Sequence, residues 1–325
     1  MQADVDPRPE PAPFHGVPPG GAHPDAVRWI TAADGVRLRA AHWRAEKPRA
    51  HALYLTGRTE YVEKASTPAA ALAARGYDVV SVDWRGQGLS DRFATPRLKG
   101  HVGDFAEYQL DLDALTGLAA DLPGPRLLVA HSMGGAIATA ALERADFAEG
   151  LTATVLSAPM FGVYMPRIAR VAGAAYVRTG LLMGQPEAWP PSRHAKLPYS
   201  LRNPAWNLLT QDTEFWDWMV MMATTYPDLP LAMPTIGWMS QAASEMNRLQ
   251  SVALPDHPVL ALIGGEEYVV DTATVTRTCA ALGIPLTTIP GGRHELLVEA
   301  QPHRSQAWAA IDSFLAAQGL PHGQG

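Results

Sequence analysis

Short apolar runs alternate with amphipathic segments along most of the chain. The runs at residues 77–84, 126–132 and 151–159 each follow a segment with a helical period, and the alternation returns at 257–265 and 284–290. Strands that alternate with helices are typical of a mostly parallel sheet covered by helices on both faces. The pattern therefore predicts an α/β fold with a mostly parallel central sheet flanked by helices.

Two further β-rich stretches precede this pattern. Residues 27–33 and 36–43 flank Asp34-Gly35, a dipeptide that is favoured in tight hairpin turns. We expect an antiparallel hairpin that leads into the sheet.

The alternation stops between Met160 and about Ala253. This interval holds nine of the eleven methionines and five of the nine tryptophans of the chain. We interpret it as an inserted helical cap. The predicted organisation is a core formed by residues 26–159 and 254–325, with the cap at 160–253.

Residues 1–25 are dense in proline and show no periodicity. We expect them to form a flexible or wrapping arm without a catalytic role. They lack the basic start and apolar stretch of a secretory signal, and no apolar run of the chain approaches the roughly 20 residues of a membrane span. Cys279 is the single cysteine, so an intrachain disulfide is excluded. These features favour a cytoplasmic protein.

The charge of the chain argues against two classes of partner. The net charge is −6, and no run of lysines and arginines is present. Our interpretation therefore excludes nucleic acid as a partner. We recognise no basic amphipathic helix in the cap, so we expect at most transient contact with a membrane surface. The oligomeric state stays open.

Ser132 lies at a sharp transition in the pattern. The run at 126–130 has strand character, whereas Gly134, Gly135 and the alanine-rich stretch after them have helix character. A serine on such a turn projects from the carboxyl edge of a sheet, and small residues at Ala130 and Gly134 leave room for the turn, as in the G-x-S-x-G nucleophile elbow. The alternative is that Ser132 only caps the helix.

A catalytic serine needs a base and a carboxylate that orients the base. In this type of fold they follow the serine in the order acid, then histidine. His294 comes just after the last predicted strand, and Glu266, Glu267 and Asp271 come after the strand before it. Because Asp271 directly precedes a helical stretch, it is more simply an N-cap. The residues alone leave Glu266 and Glu267 open.

An oxyanion hole needs two backbone N–H groups near the serine. One belongs to the residue after the nucleophile, here Met133, and the other to the loop after the third strand. In that loop Gly57 allows the backbone to approach closely, so we expect the second donor to be the N–H of Arg58.

Two other motifs suggest different chemistry and are incomplete. The stretch HELLV at 294–298 lacks the second histidine of the zinc motif H-E-x-x-H, so we expect no metal. Gly86-x-Gly88 lacks the third glycine of a dinucleotide-binding loop, so we expect no cofactor. We expect Asp83 and Arg85 to brace this loop.

The chain resembles the α/β-hydrolase family, in particular its bacterial lysophospholipase and monoacylglycerol lipase branch. The resemblance rests on five motifs that occur in order: LTGRTEYVEKAS, RGYDVVSVDWRGQGLSDR, AHSMGG, IGGEEYVVD and GGRHELLVE. It implies an α/β-hydrolase fold with an inserted helical cap. It also implies that Ser132 is the nucleophile, that His294 is the base, and that Arg58 and Met133 are the oxyanion donors.

Three positions need comment within this resemblance. The family pattern places the acid at Glu267, where most relatives have aspartate. Ala130 replaces the first glycine of the elbow, which keeps a small residue there. Thr56 stands where many relatives have histidine, which alters the hydrogen bonding of the oxyanion loop.

These residues predict a serine hydrolase that cleaves carboxylic esters through an acyl-enzyme. The resemblance and the apolar cap favour a single-chain lipid ester, a lysophospholipid or a monoacylglycerol. We expect Trp218 and Met222 to bind the substrate, the alternative being that they form the cap's own packing. Acyl transfer and hydrolysis of small non-lipid esters stay open, while the complete set of serine, acid and histidine argues against a non-catalytic binding protein.

Overall fold

The computed structural model describes residues 10–192, 194–203, 205 and 207–323. Its centre is an eight-stranded sheet with the order β1-β2-β4-β3-β5-β6-β7-β8. The strands are β1 (Ala26–Thr31), β2 (Arg37–Trp43), β3 (Ala50–Leu55), β4 (Tyr77–Val82), β5 (Arg126–His131), β6 (Ala153–Ser157), β7 (Val259–Gly264) and β8 (Leu286–Ile289).

The sheet is antiparallel at one edge and parallel elsewhere. β1 pairs with β2 as the expected hairpin, and β2 pairs antiparallel with β4. From β4 through β3 to β8 every neighbouring pair is parallel. The carboxyl ends of β3, β5, β7 and β8 therefore meet at one edge, which is where ligands bind in open α/β sheets.

Helices cover both faces of the sheet. They are α1 (Val62–Ala73), α2 (Tyr108–Leu118), α3 (Met133–Leu142), α4 (Ala145–Glu149), α5 (Arg167–Leu182), α6 (Thr213–Thr225), α7 (Ile236–Leu249), α8 (Thr272–Ala281) and α9 (His303–Ala317). One core cluster contains Leu112 of α2, Ile137 of α3 and Val275 of α8. A second cluster contains Leu72 of α1 and Ile311 of α9. The predicted α/β-hydrolase fold is confirmed.

The described residues of the segment predicted as a cap form α5, α6 and α7, and none of them belongs to a strand of the sheet. α5 packs on α7, and α7 in turn packs on α3 of the core. Their helical character agrees with the predicted insertion at 160–253, although its division from the core as a separate unit stays a prediction.

Residues 10–25 lie along the core. Ala12 N donates to Val27 O at 2.9 Å, and Trp43 Nε1 donates to Ala22 O at 2.9 Å. These hydrogen bonds are those of the wrapping form of the arm, and the assignment of 1–25 as a separate arm stays a prediction. Residues 1–9 lie outside the described part of the chain.

The outward side of α5 is apolar. The relative exposures of Ile168, Val171 and Leu182 are 87%, 71% and 80%, whereas Gly180 on the opposite side is buried. The helix has no acidic residue and three arginines, Arg167, Arg170 and Arg178. α5 thus exposes apolar side chains and arginines together, and the expectation of at most transient contact with a membrane surface stays a prediction. Among the described residues, no helix is both long and apolar enough to cross a bilayer.

The loop after β4 is braced as expected. Asp83 accepts hydrogen bonds from Val62 N at 2.7 Å and from Leu89 N at 2.8 Å. Arg85 Nε donates to Asp111 at 2.8 Å. These side chains fix a loop that lies beside the site edge of the sheet.

Candidate active site

Ser132 connects β5 directly to α3 in a strained conformation. Its φ is 52° and its ψ is −114°, a combination that is rare for any residue with a side chain. Surrounding hydrogen bonds hold the turn: Ser132 N donates to Ser157 O at 2.9 Å, and Ser132 O accepts from Met160 N at 3.0 Å. This strain is the geometry of a nucleophile elbow, in which the turn thrusts the hydroxyl away from the sheet.

The alternative role of Ser132 as a simple helix cap does not fit this geometry. Capping serines have an extended backbone and accept a hydrogen bond from the first turn of the helix. Ser132 has a positive φ, and its side chain makes no capping hydrogen bond. Gly134 is required beside it, because a Cβ there would lie 2.5 Å from Leu55 O.

His294 and Glu267 form a buried pair. His294 Nδ1 lies 2.8 Å from Glu267 Oε2, and the other carboxylate oxygen accepts from Val269 N at 2.6 Å and Val270 N at 3.1 Å. Burial alone would raise the pKa of Glu267, but His294 and these N–H groups hold that pKa below its ordinary value. The carboxylate is thus ionised and fixed in orientation towards the imidazole.

The two other carboxylates lie elsewhere. Asp271 caps α8 by accepting from Thr274 N at 2.7 Å, as expected from the sequence. Glu266 is exposed, and its backbone N–H donates to Gly292 O. Of the three carboxylates, Glu267 is therefore the one hydrogen-bonded to His294.

Ser132 and His294 follow β5 and β8 at the same edge of the sheet, and the ring of His131 lies 4.7 Å from that of His294. Among the hydrogen bonds of the described residues, none joins Ser132 Oγ to His294 Nε2. Catalytic hydrogen bonds of this kind often tighten only when substrate is bound. The roles of Ser132, Glu267 and His294 stay predictions.

The loop after β3 lies against Ser132, and two of its backbone N–H groups donate hydrogen bonds to side chains of the protein. A Cβ on Gly57 would lie 3.2 Å from Ser132 Cβ. Gly57 N donates to Glu60 at 2.5 Å and Thr59 N donates to Gln87 at 2.6 Å.

Arg58 N lies between these two bonded groups. In the described part of the chain neither Arg58 N nor Met133 N has a hydrogen-bond acceptor, and Met133 is the first residue of α3, where helix N–H groups lack internal partners. The geometry suits the predicted pair of oxyanion donors.

A buried charge cluster adjoins this loop. Lys64 Nζ lies 2.5 Å from Glu60 and 2.5 Å from Glu295, and His131 Nε2 lies 3.5 Å from Glu295. Burial favours the neutral forms, yet the two carboxylates raise the pKa of Lys64 to about 12, and Lys64 with His131 holds the pKa of Glu295 well below its usual range. All these groups are therefore mutually compensated.

Glu60, His131 and Glu295 also form a set whose ligand atoms lie within 4.8 Å of one another, close enough to hold a metal ion. The Lys64 ammonium contacts both carboxylates of this set, so it already supplies the cation there. Sequence reasoning missed this cluster. The available signals were the four-residue spacing of Glu60 and Lys64 in a helix-starting segment and the position of Glu295 beside His294.

Trp218 and Met222 of α6 are closely packed. Met222 has no exposed surface, and Trp218 is 8% exposed, in a cluster that includes Tyr61 of the core and Leu229. A side chain without accessible surface offers nothing to a bound acyl chain. The alternative, that these residues serve packing, fits this burial better than the predicted substrate contact, which stays untested.

Known proteins resemble this chain over most of its length. The family described as serine aminopeptidase, S33, matches residues 46–301. The chain belongs to this family. It is also similar to lysophospholipase L2 of Escherichia coli strain K12, with 31% identity over 314 residues that cover 90% of this chain and 88% of that protein. A probable lysophospholipase L2 of Haemophilus influenzae is 28% identical over 271 residues, covering 82% and 83% of the two chains.

Solved structures of other hydrolases support the fold. A soluble variant of monoglyceride lipase from Saccharomyces cerevisiae superposes with a TM-score of 0.72 at 16% identity, covering 95% of this chain and all of that chain. A thermostable carboxyl esterase from Bacillus coagulans gives 0.69 at 16% identity, covering 90% and 97%. The resemblance to α/β-hydrolases of the lysophospholipase and monoacylglycerol lipase branch is thus confirmed.

Proposed function

We propose that the chain hydrolyses carboxylic esters of single-chain lipids through an acyl-enzyme formed on Ser132. The observation that carries this proposal is the strained elbow at Ser132, whose side chain makes no capping bond, at the same sheet edge as the His294–Glu267 pair. Strain of this kind persists at sites where the backbone must present a side chain for chemistry.

In the proposed reaction Ser132 Oγ attacks the ester carbonyl while His294 Nε2 takes its proton. The tetrahedral oxyanion accepts hydrogen bonds from the N–H groups of Arg58 and Met133. Collapse breaks the ester C–O bond, and the alcohol leaves with the proton from Nε2. Water, deprotonated by the same nitrogen, then releases the fatty acid and restores the serine. Glu267 stabilises the imidazolium formed in both steps.

The proposed substrates are lysophospholipids and monoacylglycerols, since similar proteins are named as lysophospholipases and a monoglyceride lipase. The surface of the cap supports a lipid substrate. α5 carries outward apolar side chains together with arginines, which suits transient contact with an anionic lipid surface.

Peptide hydrolysis is a second candidate because the family description names an aminopeptidase. Such an enzyme has to bind a free α-ammonium group, which calls for a carboxylate near the nucleophile. The carboxylates near this loop, Glu60 and Glu295, are already paired with Lys64, and the side chain next to the oxyanion glycine is the cation Arg58. This arrangement favours neutral or anionic substrates over N-terminal amines.

The test is turnover of acyl esters and of aminoacyl anilides by the wild type and by Ser132→Ala. We expect ester hydrolysis by the wild type, labelling of Ser132 by a fluorophosphonate, and a loss of about a thousandfold or more in the variant. The substitution removes only a hydroxyl, so the unfolding temperature should stay close to that of the wild type. Ester turnover by Ser132→Ala within tenfold of the wild type would refute the proposal.

A further inference from the structure

Several arginines at the boundary between core and cap lack a carboxylate partner. In the described part of the chain four arginines have a buried Nε without a hydrogen-bond partner: Arg58, Arg92, Arg97 and Arg202. Of these only Arg97 lies within ion-pair distance of an acid, at 3.8 Å from Asp228. The other three contact backbone carbonyl oxygens instead.

Arg58 has the fewest partners of the three. Its Nη2 donates to Ala232 O at 3.0 Å, and its guanidinium lies 5.0 Å from the centre of the Trp238 ring. Its Nη1 makes no hydrogen bond to a described residue. Burial, together with the positive charge of Arg202, lowers the pKa of Arg58 to about 10. The guanidinium is thus held in place with donors to spare.

Arg92 and Arg202 add positive charge around it. Arg92 bridges carbonyl oxygens of the core and the cap, among them Gly88 O at 2.6 Å and Asp228 O at 3.0 Å. Arg202 Nη2 reaches two cap carbonyls only at 3.3 Å. Arg58 Nη2 binds Ala232 O, the next residue Met233 donates to Ala195 O, and Arg202 binds the neighbouring His194 O, so the guanidinium groups of Arg58 and Arg202 lie in the same part of the boundary. Bringing like charges together without an acid is costly, which indicates that an anion completes the arrangement.

Arg58 also lies next to the reacting groups. Gly57, its neighbour in the chain, lies against Ser132, and the backbone N–H of Arg58 is the proposed oxyanion donor. One residue thus carries both the proposed oxyanion donor and a guanidinium with unused donors, so a ligand that has an ester and an anionic group a few bonds apart can contact both. In a glycerophospholipid only the glycerol backbone separates ester and phosphate. Guanidinium groups bind phosphate in bidentate fashion.

We propose that the side chain of Arg58, with Arg202 beside it, binds the phosphate of a glycerophospholipid whose acyl ester lies at Ser132. This inference rests on the proposed ester hydrolysis and narrows it, because it assigns the phosphate-bearing lysophospholipid, and not the neutral monoacylglycerol, as the preferred substrate. A monoacylglycerol leaves the guanidinium without its anion.

The experiment compares kcat/KM for a lysophosphatidylcholine and a monoacylglycerol with the same hexanoyl chain. We expect the wild type to have the higher kcat/KM on the lysophosphatidylcholine. Arg58→Gln should lower the ratio of kcat/KM for the lysophosphatidylcholine to kcat/KM for the monoacylglycerol by about 10- to 100-fold. Arg58→Lys keeps the charge but loses the bidentate donors, so the ratio should lie between those of the wild type and Arg58→Gln. Arg44→Gln, which removes an exposed charge just after β2 at the sheet edge opposite the site, is the matched control and should leave the ratio unchanged.

Competition separates the two sources of phosphate. Glycerophosphocholine should inhibit hydrolysis of a nitrophenyl ester by the wild type more strongly than inorganic phosphate does, and Arg58→Gln should weaken this inhibition. Inhibition by inorganic phosphate alone would overturn the assignment to a lipid headgroup. Equal losses on both hexanoyl substrates in a folded, fluorophosphonate-labelled Arg58→Gln would also overturn it.

Two other results, an inactive wild type and an Arg58→Gln variant that does not fold, are distinguishable from failure of the anion site. Absence of ester hydrolysis by the wild type would instead refute the proposed function. If Arg58→Gln does not fold, Arg202→Gln is the second variant, with a smaller expected fall of about threefold to tenfold in the same ratio. An unchanged ratio in that variant would count against the anion site.

Discussion

On the core side of Ser132 the Lys64 ammonium lies 2.5 Å from each of two carboxylates, whereas on the cap side Arg58 has one carbonyl oxygen and an aromatic ring as its partners. Both regions hold charge away from bulk water and lie within a few residues of the proposed oxyanion loop. In the first, positive and negative groups compensate one another within the protein. In the second, positive charge predominates.

This difference in compensation distinguishes charges that stabilise the structure of the site from charges that are available to bind a ligand. A buried ion pair that is complete keeps loops in place and offers nothing to a substrate. A buried arginine that has no carboxylate partner is stabilised when an anion binds to it. The following changes break or sharpen this comparison, beginning with the largest expected effect.

Glu267→Gln should lower the rate by roughly two to four orders of magnitude. The amide can still accept from Val269 N and Val270 N, but its NH₂ group would then face His294 Nδ1. That arrangement places the ring proton on Nε2, which can no longer act as a base. Steady-state kinetics on a nitrophenyl ester measure the effect.

The exposed neighbour supplies the control for this change. Glu266→Gln should alter the rate by less than about tenfold, because that side chain makes no contact with the imidazole. If Glu266→Gln were the more damaging of the two, the acid would have to be reassigned to Glu266.

Lys64→Met tests the buried charge cluster, in which Lys64 compensates Glu60 and Glu295. Removal of the ammonium leaves Glu60 and Glu295 with only the His131 ring as a basic partner. Breaking a buried ion pair in this way costs about 3–5 kcal/mol in the free energy of unfolding. Denaturant unfolding measures the loss, with the exposed Lys47→Met as the matched control. A loss below about 1 kcal/mol would show that the cluster contributes little to stability.

Met222→Ala tests the packing of the cap. Because the side chain is fully buried, we expect the free energy of unfolding to fall by about 2–5 kcal/mol and hydrolysis of acetyl and dodecanoyl esters to fall by the same factor. Trp218→Ala should behave alike. A loss confined to the dodecanoyl ester would restore these residues to the substrate site, since each buried methylene is worth about 0.8 kcal/mol.

The parts that sequence predicted are those with a local signature. Strand and helix periods located the sheet, and Ser132, Glu267 and His294 follow the ends of their strands in the expected chain order. The N-cap at Asp271 is likewise encoded by its neighbours. Such features depend on a few adjacent residues, so they can be recognised before the chain is folded.

The remaining features depend on contacts between distant segments. The sequence of α5 does not show which of its sides faces the protein, whereas the close approach of Gly180 to Ile236 does. Nothing in the sequence around Arg58 shows that its guanidinium has no carboxylate partner among the described residues. The proline-rich arm showed no period, because its contacts at 10–25 are made to the surface of an already formed core.

The Lys64 bridge also has a consequence for motion. Glu60 belongs to the loop after β3 and Glu295 to the loop after β8, and Lys64 and Glu295 are 231 positions apart. Opening either loop withdraws one carboxylate from the buried Lys64 ammonium, which stays on α1 and keeps only the other. The bridge therefore couples the opening of the two loops energetically and favours their behaviour as one unit of local unfolding. Local opening of the loop after β3 is in this way linked to local opening of the loop after β8.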